Sequence, residues 1–193
     1  MNDDGLLSLV TRAVDAVEPL IGSVTAIDHK RITPCPELDV QKLTAHLIGG
    51  LSSFADVAEG KPLNFDADPD LSTCDATTTF RIAADRVLVL FGAPGMIERT
   101  FAMPWGPTTG AQLLGFELIE LLVHGWDIAR SLDARAAFDD DLVEAALAGA
   151  RLWVDDSTRV PQLFGPEVAV DAGAPVLDRL VGFLGRDPSW APK

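Results

Sequence analysis

Apolar residues recur at helical spacing along most of this chain. Leu6, Leu7, Leu9, Val10, Ala13, Val14, Val17, Leu20, Ile21 and Val24 predict a first helix over about 4–28. Pro19 and Gly22 are expected to kink it. Thr33, Pro34, Cys35 and Pro36 then break any helix, because proline forces extended geometry on the residue before it. Asp39 is an N-cap candidate for a second helix over about 40–58, with Val40, Leu43, Leu47, Leu51 and Phe54 close to a 3.6-residue period. Gly49 and Gly50 lie inside that helix, where each costs about 1 kcal/mol relative to alanine, so close packing is expected there. Residues 60–75 read as a polar, proline-punctuated loop. Its acids lack the spacing and terminal glutamate of an EF-hand.

A third helix is predicted over about 76–91, ending at Gly92, Ala93, Pro94 and Gly95. Residues 97–103 alternate and predict a short strand or extended arm that residues 104–107 end. Thr108 or Thr109 then caps a fourth helix reaching about Leu132, the most apolar of the chain. A fifth helix follows over about 139–154, then an extended stretch at 164–170 and a short helix over about 174–184. Long amphipathic helices without an internal repeat predict a mainly α fold, a helix bundle.

Composition narrows the function classes. Hydrophobic residues make up 48% of the 193 residues, enough for a substantial core. Net charge is −14, which argues against nucleic acid and against anionic membrane surfaces as partners. Cys35 and Cys74 cannot build a disulfide framework. The opening residues lack a basic signal-peptide region, and no uncharged stretch reaches the ~20 apolar residues that span a bilayer. The expectation is a soluble, cytoplasmic protein.

Chemistry concentrates on the fourth helix. Glu120 and His124 stand four residues apart, so they share one face. A buried carboxylate between Leu118, Ile119, Leu121 and Leu122 needs a counter-charge or a metal. His46, on the second helix, can supply a third ligand from a facing helix. Two imidazoles and one carboxylate suit zinc and leave a position open; the same set holds nickel or iron. The competing reading is a pair of core histidines with ordinary hydrogen-bond partners. Glu117 shares much of the Glu120 face and is the rival carboxylate. Asp127 either orients His124 or pairs with Arg130 at the surface. His29 reads as a surface residue. Cys35 is either a thiol near the cleft or part of a rigid connector, and Trp105 and Trp126 are candidates to wall a pocket. No nucleophile elbow, Walker loop or dinucleotide fingerprint occurs.

Three runs carry a resemblance: residues 33–40 (TPCPELDV), 43–50 (LTAHLIGG) and 120–127 (ELLVHGWD). Together with Phe164, Gly165, Pro166 and the closing residues 184–188 (LGRDP), they resemble the metal-binding helical domain of mycothiol-dependent maleylpyruvate isomerases, in the DinB-like superfamily. The resemblance implies an up-down-down-up four-helix bundle with a divalent metal in its core, here with a short extra C-terminal helix and extended segments. Its ligands would map to His46, Glu120 and His124. It implies thiol activation, with mycothiol as the thiol of similar actinobacterial proteins.

The expected organisation is one such domain over residues 1–193, with a helical core at about 4–155 and a C-terminal appendage at about 156–193. About 60 residues follow the fourth helix, too few for the second domain that these isomerases use to bind substrate. The acidic composition offers few anchors for a dicarboxylate, Arg81, Arg86 and Arg99 being those at hand. Both points argue against maleylpyruvate itself as substrate. The expectation is a thiol-dependent metalloenzyme of transferase or isomerase type, with a low-molecular-weight thiol and a small-molecule substrate as partners and homodimerisation through a helix face. The alternative is a non-catalytic metal- or ligand-binding bundle, such as a sensor or stress protein.

Overall fold

The computed structural model describes residues 3–64, 67–155, 159 and 164–192. It contains α1 (Asp3–Gly22), α2 (Val40–Ala58), α3 (Ala76–Phe91), β1 (Thr100–Met103), β2 (Gly106–Thr109), α4 (Gly110–Ser131), α5 (Asp140–Trp153) and α6 (Val176–Phe183). Side-chain caps start three of the four long helices. Asp39 accepts from the Lys42 amide, Asp75 from the Thr78 amide, and Thr109 forms a reciprocal capping box with Gln112.

One expectation is corrected and another is extended. The first helix ends at Gly22 and does not reach Asp28. The Asp28 carboxylate instead accepts from the amide and hydroxyl of Thr25 and pairs with Arg31, so local polar bonds replace another helical turn. The extended arm ends at Met103 as expected, but residues 104–107 do more than end it. They turn it into an antiparallel hairpin in which Met103 pairs with Gly106 and Ala102 with Pro107. Pro107 is tolerated because β2 has β1 as its single neighbour, so its missing N–H lies on a free edge.

Helices α1 to α4 form a ring in which α1 packs on α3 and α4, and α2 packs on the same two. Close approaches at glycines give the directions. A β-carbon at Gly22, closing α1, would lie 3.5 Å from the Thr77 hydroxyl at the start of α3. One at Gly92, after α3, would lie 3.3 Å from Leu7, near the start of α1. Gly125, late in α4, faces Val17 and Leu20, late in α1. Thus α3 runs against α1 and α4 runs with it. Arg86, late in α3, pairs with Asp56 and Glu59 at the end of α2, so α2 and α3 run parallel. This is the up-down-down-up bundle of the DinB-like fold.

The core between the four helices is apolar, with Val10, Val14, Leu43, Leu51, Phe80, Leu113 and Leu121 fully enclosed. Helix α5 packs on α4, and α6 packs on α5. The expected boundary between core and appendage, at 155/156, falls against residues outside the described ones. Among the described residues no helix is long and apolar enough to cross a membrane.

Candidate metal centre

Helix α2 contributes His46 and helix α4 contributes Glu120 and His124. Their ligand atoms all lie within 4.8 Å of one another. Glu120 Oε2 is 3.1 Å from His124 Nε2 and 3.9 Å from His46 Nε2. The two imidazoles meet edge to face at a centroid distance of 5.3 Å. The cluster is closed on one side and open on the other. His124 is 7% exposed, whereas Glu120 keeps 35% and His46 45% of its side chain open to solvent.

The closed side is held by a polar chain. Asp127, fully buried on α4, bonds His124 Nδ1 at 3.0 Å, which leaves Nε2 facing Glu120. Arg186, beyond α6, donates to the same Asp127 oxygen at 3.2 Å. The alternative pairing of Asp127 with Arg130 does not occur. Arg130 donates to the Trp190 carbonyl and lies over the Trp126 ring.

Electrostatics mark the cluster as a place for positive charge. Burial opposes charge on His124, but Glu120 and then Asp127 outweigh it and push the imidazole up to about 9. Burial also opposes charge on Glu120, yet His124 holds it well below the usual carboxylate range. His46 is shifted the other way, by burial first and by the charge of His124 second. It presents a neutral nitrogen, the form that binds metal. The donor set therefore fits a divalent cation: one carboxylate, one neutral imidazole, and one imidazole whose proton a metal would replace.

Other sequence candidates lie elsewhere. Glu117 is buried outside the cluster, with Oε1 lacking a hydrogen-bond partner. Burial and then the charge of Glu120 push it up to about 8. His29 belongs to the turn before α2, where its carbonyl accepts from the Gln41 amide. Burial pushes the Cys35 thiol up to about 11. Thr33 donates to the Cys35 and Leu38 carbonyls and accepts from the Cys35 amide, which makes this segment a rigid connector. Trp126 is buried, while Trp105 is exposed and meets the Phe116 ring edge-on. Arg81 pairs with Asp15 and Glu18, Arg86 with Asp56 and Glu59, and Arg99 lies over Phe101. None of these three arginines bonds a cluster residue. Arg186 does so through Asp127, and its only trace in the sequence is its place in the closing LGRDP run.

Comparison with known proteins places the chain in a family. The family model for the mycothiol maleylpyruvate isomerase N-terminal domain matches residues 10–129, which include all three cluster residues. The uncharacterized proteins MT0763 and Rv0738 of Mycobacterium tuberculosis, strains CDC 1551 / Oshkosh and ATCC 25618 / H37Rv, are each 31% identical to the chain over 176 residues, covering 91% of this chain and 94% of the relative. No solved structure matches the chain significantly. On the family match and the fold together, this chain belongs to the mycothiol maleylpyruvate isomerase N-terminal domain family of the DinB-like superfamily.

Proposed function

We propose that His46, Glu120 and His124 hold a divalent cation, zinc first and nickel or iron next, and that the chain is a mycothiol-dependent metalloenzyme of transferase or isomerase type. The observation that carries this reading is the convergence of three ligand atoms from two helices on one half-open position. A cation there would supply a site at which a thiol is bound as its thiolate. The chain's own residues do the rest. Asp127 fixes the His124 ring with Nε2 toward the cluster. The half-exposed faces of His46 and Glu120 leave the approach for a thiol and a second substrate. Glu117, protonated at neutral pH, adds no second charge beside Glu120. The bond from Arg186 to Asp127 ties the C-terminal segment to the bundle. It supports reading residues 1–193 as one domain, which we place in the cytoplasm.

Elemental analysis of protein purified without added metal should find about one divalent ion per chain, and His124→Ala should lose it. Full retention of metal by that variant would sink the assignment. Cobalt-substituted protein whose spectrum responds to a low-molecular-weight thiol supports the thiol-dependent reading; a spectrum that saturating thiol leaves unchanged favours a non-catalytic metal-binding bundle.

A further inference from the structure

We propose that Arg186 selects the charge of the ligand this centre accepts: by cancelling Asp127 it reserves the open side of the cluster for a small monoanion such as a thiolate. The proposal rests on the metal reading above and adds to it a residue from outside the segment that the family model matches.

The placement of Arg186 is built into the backbone. After α6 the Arg186 amide bonds the Val181 carbonyl at 2.9 Å, and the Gly185 amide bonds the Gly182 carbonyl at 3.0 Å. This is the paired bonding of a Schellman turn, with Gly185 at φ 86° as its left-handed residue. The turn sends Arg186 back beneath α4, where its side chain is 9% exposed. One terminal nitrogen donates to the Leu184 carbonyl and the other to Asp127 Oδ2. Arg186 Nε and Asp127 Oδ1 are both buried and without a partner. They are the atoms that a side-on guanidinium–carboxylate pair would join, so this pair has a second bond within its chemistry.

The consequence is one of charge. Glu120 and Asp127 flank His124 at its two ring nitrogens. A divalent cation balanced by these two carboxylates would leave a neutral centre. Arg186 makes that balance more positive by one charge in either protonation state of Glu117, while Asp68, the further acid acting on His46, is exposed and screened by solvent. Held on the buried side of the cluster, that charge is weakly screened, so it favours an anion over a neutral ligand at the cation. The open side, between His46 and Glu120, is where that anion can enter. Arg186 thus favours a thiolate there over a neutral thiol or amine.

The test uses cobalt-substituted full-length protein, with azide as the anionic probe and imidazole as the neutral one, both followed by visible absorption. Arg186→Gln should weaken azide about tenfold and leave imidazole within about twofold, while Arg186→Lys stays near wild type, as expected for one charge at an effective dielectric of about 20. Equal weakening of both probes would show a structural role for Arg186 and overturn the proposal, as would unchanged azide binding. Where Arg186→Gln does not fold, Asp127→Asn carries the test. Removing that carboxylate adds net positive charge, so azide should bind about tenfold tighter; unchanged or weaker binding overturns the proposal. Wild-type protein that takes up no cobalt would overturn the metal reading itself, a failure distinct from the others.

Discussion

Glu117 and Asp127 are two buried acids on the same helix in opposite circumstances. Each keeps one oxygen without a partner, but the other oxygen of Asp127 meets an imidazole and a guanidinium, whereas neither kind of group bonds Glu117. Glu117 therefore binds its proton more tightly when folded, with its pKa pushed up from about 4.5 to about 8. Between these values the folded chain holds a proton that the unfolded chain releases. The contribution is complete below about 4.5 and is lost as pH rises through about 8. In chelator-treated protein, stability should fall across this window by up to ~1.4 kcal/mol per pH unit from this group. Glu117→Gln should remove that slope, so urea melts at pH 5 to 8 should show the variant gaining on wild type; parallel profiles would refute it. The sequence could not separate Glu117 from Glu120, because both lie on the His124 side of one helix. Only the position of α2 decides which carboxylate meets His46. His46 and His124 were legible because the chain has three histidines and two of them fall on apolar helices. Arg186 was not, because its approach to Asp127 depends on a turn in the C-terminal segment.

At the level of elements, the helix starts were legible and some of the ends were not. Asp39, Asp75 and Thr109 cap by side-chain bonds that local sequence specifies. The end of α1 depends on competing bonds from Thr25 and Asp28, and the hairpin was hidden by prolines that an isolated strand pair tolerates. Glycine positions report element packing that no periodicity reveals. A β-carbon at Gly115 of α4 would lie 2.0 Å from the ring of Trp153 on α5. Gly115→Ala should therefore cost about 1–2 kcal/mol, an overpacking penalty partly offset by roughly 1 kcal/mol of helix propensity. In a Trp153→Leu background the same change should be neutral or stabilising by up to about 1 kcal/mol. Denaturant melts of the four proteins check this; an equal penalty in both backgrounds would mean that the ring is not the obstacle.

For the whole molecule, the centre and the bundle should stabilise each other. The proposed cation would be held between α2 and α4 only in the folded chain, so at 100 times its Kd it would add ~2.7 kcal/mol. For a chain of this length that should raise Tm by roughly 5–10 °C, and His124→Ala should show no rise under the same zinc titration. A rise that survives the substitution would place the ion elsewhere. The ring of helices has a further consequence, for a chain still being made. Helix α1 ends at Gly22, yet α4, which covers one flank of it, is complete only at Ser131. At roughly 5–20 residues per second, α1 leaves the ribosome about 5–20 s before that flank can be covered. Through this interval Val17 and Leu20 lack the helix that will pack on them. The nascent chain thus offers a chaperone an apolar stripe that the finished protein hides.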